Sequence, residues 1–322
     1  MTPAKASCAR PEDRHSAEMT SATAPFDRRL IARHRARAAS GFEHADFLVR
    51  RAAEEIGGRL QTTNRSFEAA LDLGCHTGIL ARDILKPTGI PTVVSADLSP
   101  AMAGKAPAPR IVADEEFLPL KAGSLDLVAS ALSLHWVNDL PGALLQIRQA
   151  LKPDGLFIGA LFGGETLHEL RDVLMLAETE CDGGVSPRVS PFADVRDLGG
   201  LLQRGGFALP VVDADQIVVR YDTLFNLMSD LKAMGETNAI NDRRRVPLKR
   251  GTLMRAAEIY QEKYADPDGR IRATFEILYA TGWAPHESQQ KPMRPGTAAM
   301  KLADALKTEE ISTGEKTPRR RN

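Results

Sequence analysis

Apolar positions along this chain follow a helical period at first and then alternate between strand and helix patterns. Between Phe26 and Leu60, the spacing of Leu30, Phe42, Phe47, Leu48 and Ile56 predicts one or two helices. From residue 68, short apolar runs take over. Glu68–Gly74, Thr92–Leu98, Arg110–Asp114, Leu125–Leu132 and Leu156–Phe162 read as five strands. Helices are predicted between them, from Ile79 to Lys86 and from about Pro141 to Leu151. Ser99 suits an N-cap with Pro100 at the first helical position, and Lys152-Pro153-Asp154-Gly155 reads as a turn. Strands alternating with helices predict a parallel sheet covered on both faces.

After Gly163 the rhythm changes. A helix is predicted from Gly164 to Glu180, then a Gly/Pro/Ser loop from Gly183 to Pro191. Ser190-Pro191 should cap another helix that stops at Gly205-Gly206. Gln216–Tyr221 and Arg270–Tyr279 read as strands at the sheet edges, with helices near 222–234 and 251–264 between them as a lid on the substrate side. The expected class is therefore α/β: a doubly wound, mostly parallel seven-stranded sheet with an N-terminal helical extension and a helical lid insertion. The segments are a tail at 1–24, helices at 25–67, a core at 68–162, lid and edge strands at 163–297, and a mostly disordered tail at 298–322.

At 322 residues and 43% hydrophobic content the chain can bury a substantial core. Its 42 basic and 42 acidic residues balance, which gives no general attraction to nucleic acid or membrane. Cys8, Cys75 and Cys181 are scattered and match no metal spacing or disulfide framework. No apolar run approaches the ~18 residues of a membrane span. Glu12, Asp13 and Glu18 argue against a transit peptide, and the missing apolar stretch argues against secretion. A bacterial-type cytoplasmic location, or the mitochondrial matrix in a eukaryote, is the expectation.

The chemistry concentrates in Leu71-Asp72-Leu73-Gly74-Cys75-His76-Thr77-Gly78. A strand here runs into a tight turn with a helix behind it. Gly74 and Gly78 allow a ligand to approach the backbone, and the helix N-terminus points at it. Asp72 decides what that ligand is not, because a carboxylate beside a glycine turn repels phosphate. The phosphate-loop spacing is absent, and the dinucleotide spacing fails because Gly74 is followed by His76 and Ile79. S-adenosylmethionine, with an ammonium, a sulfonium and no phosphate, suits the site.

Two further strand ends strengthen that reading. Asp97 stands 25 residues after Asp72 and can accept both ribose hydroxyls; Asp114 and Glu115 end the third strand, where an adenine amino group needs an acceptor. Leu98 and Ser130 complete the expected cofactor set. His76 stands where such turns usually carry glycine, so its side chain is expected to point away from the ligand. His135, in Ser133–Asp139 after strand four, is the best-placed general base by its ordinary pKa. His44-Ala45-Asp46 has the form of half an iron triad but reads as a solvated helix face, and no metal site is expected. Arg28, Arg29, Arg33, Arg35 and Arg37 likewise read as a solvated basic face.

The glycine turn matches the pattern of class I methyltransferases, whose fold is Rossmann-like. Other segments narrow the resemblance. Asp114–Pro119, Leu132–Leu140, Gly163–Leu167, Leu176–Glu180, Ser186-Pro187, Ser190–Phe192, Met234–Asn238, Gly282-Trp283 and His286–Gln289 resemble the complex I assembly factor 5 family over roughly residues 26–297. A weaker similarity, over residues 68–170, runs to the biotin-pathway enzyme that methylates malonyl-acyl carrier protein.

The first resemblance implies modification, by hydroxylation, of an arginine in an iron–sulfur subunit of NADH:ubiquinone oxidoreductase. Hydroxylating an unactivated carbon needs an oxidant, and no ligand set for iron or flavin is visible in the chain. The alternatives are a small-molecule or acyl-carrier O-methyltransferase, or an assembly chaperone that binds the nucleoside without catalysis. An arginine substrate needs carboxylates. Glu165 and Glu169, four apart on a predicted helix just beyond strand five, are the expected contacts, with the lid around Glu236 and His286 next in line.

Overall fold

A computed structural model of the chain describes residues 24–290, 300 and 302–309. Of the predicted tails at 1–24 and 298–322, residues 1–23, 298, 299, 301 and 310–322 lie outside the described residues. The described residues up to Pro285 form one compact unit, and a second begins at His286. Within the second, Leu302–Leu306 forms a short helix where a tail was expected.

Seven strands form a single sheet: β1 (Ala69–Leu73), β2 (Thr92–Asp97), β3 (Arg110–Val112), β4 (Leu125–Ala131), β5 (Leu151–Phe162), β6 (Ala208–Tyr221) and β7 (Ile271–Trp283). Their spatial order is β3-β2-β1-β4-β5-β7-β6. The first five run parallel, and β7 pairs antiparallel with both β5 and β6. The strand order reverses at β1, so a crevice opens beyond its carboxyl end.

Alternation along each strand divides the core between the two faces. Ala70, Leu127, Ala129, Ile158 and Phe275 pack on one side, and Leu71, Leu73, Val128, Phe157 and Leu278 on the other. The second face is closed by helices Leu140–Ala150 and Val195–Arg204, which supply Leu144, Ile147, Leu198 and Leu202. The first carries Phe47–Gln61, His168–Asp182 and Arg250–Tyr264, with Ile56, Val173 and Tyr260 inside. Among the described residues no helix is long and apolar enough to cross a membrane.

Four expectations need correction. β7 is interior rather than an edge; only β6 and β3 are edges. The helix predicted from Gly164 starts at His168, because Gly164–Leu167 forms a turn that ends with Leu167 in left-handed backbone (φ 54°). The next helix is capped by Asp194, whose side chain accepts from Asp197 N, not by Ser190-Pro191. The Lys152–Gly155 turn is drawn into the start of β5, although the regular register with β4 begins only at Leu156.

Candidate functional site

The glycine turn wraps tightly around the end of β1. Gly74 and Gly78 hold left-handed backbone (φ 66° and 79°). A Cβ at Gly74 would stand 2.0 Å from Ser133 Oγ, and one at Gly78 would stand 2.3 Å from Pro107 Cδ. His76 has left-handed backbone too (φ 50°), and its ring turns beneath the crevice. There Nε2 lies 3.2 and 3.1 Å from the carbonyls of Ala131 and Leu132, and the ring stacks on Phe42 at 5.2 Å. Burial, and then the Arg35 charge, lower its pKa, which favours the neutral ring. Leu132 itself is left-handed (φ 53°). Strain of this kind on non-glycine residues collects where function fixes the backbone.

The predicted acids converge here. Asp72 is buried on β1; its Oδ2 accepts from Ala81 N at 3.1 Å, and its Oδ1 has no partner. Burial raises its pKa to about 7. Asp97 Oδ1 accepts from Ser99 N at 2.7 Å, and Oδ2 accepts from His76 N at 3.0 Å. Glu115 is fully buried and accepts from Ser133 Oγ at 2.5 Å. Asp114 is partly exposed and also accepts from Glu116 N.

These acids have a partner that the sequence reading placed in solvent. Helix α1 (Arg28–Ala38) turns Arg28, Ile31, Arg35 and Ala38 inward. The Arg35 guanidinium, 2% exposed, sits 3.4 Å from Asp97 Oδ2 and 3.1 Å from Glu115 Oε1, and donates to Ser133 Oγ at 2.7 Å. Arg28 bonds Asp114 and the second oxygen of Glu115. Burial alone would raise the Glu115 pKa, but Arg35 and Arg28 more than offset it and hold it down at about 2. The N-terminus of α1 is tied to the core and to the lid: Phe26 N donates to Asn138 Oδ1, and Asp27 N to the Ala239 carbonyl.

One turn leads from this crevice to the lid. Ser133 faces Arg35 and Glu115; two and three residues on, His135 and Trp136 face Glu236. Glu236 Oε2 lies 3.2 Å from His135 Nε2 and accepts from Trp136 Nε1 at 2.8 Å. Trp136 Nε1 can only donate, so Glu236 Oε2 accepts from it. His135 Nδ1 is buried without a partner. Burial opposes the ionised form of Glu236, yet His135 and Arg35 lower its pKa overall. A cavity of about 300 Å³ lies against this group, walled by Phe162, Phe192, Leu170, Leu231 and Phe275 with Glu236 in its lining.

Of the remaining expected residues, Leu98 packs beside Phe26 and Trp136. Ser130 is buried on β4 with its hydroxyl unpartnered. His44 is exposed, whereas Asp46 is buried and paired with Arg50, so the two diverge. The Glu165–Glu169 pair is not formed as expected. Glu165 lies in the turn before the helix, 61% exposed. Glu169 is buried and accepts from Thr274 N (3.1 Å) and Thr274 Oγ1 (2.5 Å), fastening its helix to β7. Glu178 is likewise buried against Arg188. Arg28, Arg35 and Ser133 are the residues that sequence reasoning missed. The available signal was the seven-residue spacing of Arg28 and Arg35, which puts both on one helix face.

Comparison with known proteins decides the family. Residues 71–159 match the model of a methyltransferase domain. The YcgJ protein of Bacillus subtilis shares the fold, with a TM-score of 0.50 at 15% identity over 72% of this chain and 99% of its own. The arginine-hydroxylase NDUFAF5, mitochondrial, of Danio rerio is 42% identical over 296 residues, 90% of this chain and 92% of the relative. The chain belongs to the NDUFAF5 family. It is a methyltransferase-fold enzyme, and the likeness extends across the lid, since 90% coverage cannot be confined to the core. A malonyl-[acyl-carrier protein] O-methyltransferase of Halorhodospira halophila is more distant, 35% identical over 80% of this chain and 88% of its own.

Proposed function

We propose that this NDUFAF5-family chain holds S-adenosylmethionine beyond the ends of β1, β2 and β3. We further propose that it engages an arginine side chain of a protein partner, an iron–sulfur subunit of respiratory complex I. The convergence of Asp72, Asp97 and Glu115 on a glycine turn carries the first half; in the second, the arginine is supported by the named activity of the 42%-identical relative.

The residues present fit the nucleoside. Gly74 and Gly78 carry no side chain of their own where Ser133 and Pro107 pack against the turn, and Asp72 Oδ1 is a buried oxygen without a donor, matched to an ammonium. Asp97 would take the ribose hydroxyls. Three of its roughly four lone-pair positions are already engaged, one of them by Arg35, so a diol would compete with Arg35 for this carboxylate. Asp114 would accept the adenine amino group. Burial raises the Asp72 pKa to about 7, and a cationic ligand beside it favours the carboxylate. When bound, S-adenosylmethionine supplies an activated methyl group on a sulfonium. What this chain contributes is the binding acids, helix α1 packed over them through Arg28 and Arg35, and the Ser133–Trp136 turn that leads to Glu236 and the lid cavity. A location in the bacterial cytoplasm or the mitochondrial matrix accords with this role; the Danio rerio relative is mitochondrial.

Mass spectrometry of the iron–sulfur subunit purified from wild-type and deletion strains tests the reading. One arginine should carry an added oxygen or methyl group in the wild type and lack it in the deletion strain. An identical subunit from both strains would overturn the arginine assignment.

A further inference from the structure

None of the acids proposed to hold the nucleoside, Asp72, Asp97, Asp114 and Glu115, lines the cavity beside Glu236. Its walls are aromatic and aliphatic: Phe162, Phe192, Phe275, Leu170 and Leu231. Three charged residues line it. Arg188 is neutralised by buried Glu178, to which it donates through Nε (2.9 Å) and Nη2 (2.5 Å). Lys232 is exposed at the rim. Glu236 is 12% exposed, and both of its hydrogen bonds fall on Oε2, which leaves Oε1 to accept. The His135 ring stands 4.7 and 5.8 Å from the Phe162 and Phe192 rings of the cavity wall.

An apolar sleeve with a carboxylate in its lining suits a side chain with a methylene stem and a planar cationic head. Guanidinium stacks on aromatic rings and gives several N–H groups to fixed acceptors, which an ammonium does less well. A carboxylate head, such as a malonyl group, would meet Glu236 as a like charge. Position agrees with chemistry, since Ser133 in the crevice and His135 beside the cavity are two residues apart on one turn. Backbone strain marks the same place: Leu167, left-handed at φ 54°, lines the cavity.

We propose that this cavity is the acceptor site and that Glu236 is the residue that selects a guanidinium. The proposal rests on the reading that the acceptor is an arginine.

The test uses the full chain and two probes, N-acetyl-arginine methylamide and its neutral isostere N-acetyl-citrulline methylamide, followed by ligand-observed NMR. The wild type should bind the arginine probe roughly tenfold or more tightly than the citrulline probe. Glu236→Gln should remove that preference while S-adenosylmethionine affinity stays unchanged. Met228→Trp, which fills the cavity mouth and keeps the carboxylate, should weaken both probes, so the proposal remains testable if the first variant does not fold. Equal binding of the arginine probe by wild type and Glu236→Gln would overturn it, as would a wild type that prefers the citrulline probe. The two readings fail separately. An arginine modified in the partner but bound independently of Glu236 removes the cavity. Arginine binding through Glu236 with no modified subunit removes the substrate assignment.

Discussion

Replacing Arg35 with Met will lower the stability of the chain by about 3–5 kcal/mol, the usual cost of removing one partner from a buried ion pair. Asp97 and Glu115 lie fully buried on either side of the guanidinium and would be left with burial opposing their charge. The effect depends on pH in a defined direction. Glu115 has a folded pKa of about 2 against an ordinary 4.5. Its stabilisation is therefore complete above about 4.5 and is lost as pH falls towards 2. Urea denaturation at several pH values should show the difference between wild type and Arg35→Met narrowing through that window. Glu115→Gln in the Arg35→Met background should recover part of the loss, because it removes the stranded charge. A variant as stable as the wild type at neutral pH would show that α1 does not hold these acids.

Gly74→Ala has the next largest expected effect. Left-handed backbone costs a non-glycine residue about 1–2 kcal/mol, and overpacking adds about 1–3 kcal/mol. Both terms apply, because φ is 66° and the new Cβ would meet Ser133 Oγ at 2.0 Å. Ser133 in turn holds Arg35 and Glu115, so the clash spreads through the acid cluster. Gly123→Ala is the control, since that glycine has φ 64° but nothing within 4 Å of an added Cβ. Thermal melts should give a larger loss at Gly74 than at Gly123, and the difference isolates the clash from the backbone term. Equal losses would mean that the turn does not press on Ser133.

Much of this architecture is legible from the chain, for a physical reason. Strands β1, β2, β4 and β5 are short apolar runs between turn residues, and periodicity reports burial directly. Ser99-Pro100 works as predicted, with the Ser99 side chain accepting from Met102 N. The order of strands is a different matter, because pairing is a long-range choice that local pattern does not encode. β7 nevertheless carried a usable signal. Its run Phe275–Ala280 is almost continuously apolar, as for a strand covered on both faces, whereas β6 alternates towards solvent. Side-chain commitments were harder to read. Glu169 and Arg35 look like surface charges in any periodic reading, yet each is buried because one specific partner, Thr274 or the strand-end acids, awaits it. The acids Asp72, Asp97 and Glu115 were legible because strand ends in this topology must converge, which ties their position to the fold rather than to a partner.

The claim that the strand-end crevice is a nucleoside site is tested most directly by calorimetric titration of S-adenosylmethionine into wild type and Asp97→Ala. The wild type should bind in the micromolar range, for which ~8 kcal/mol is the corresponding free energy. The variant leaves the ribose hydroxyls without their acceptor and should bind about 1–3 kcal/mol more weakly. Equal affinities would remove Asp97 from the site, and a wild type that takes up no S-adenosylmethionine would contradict the account as a whole.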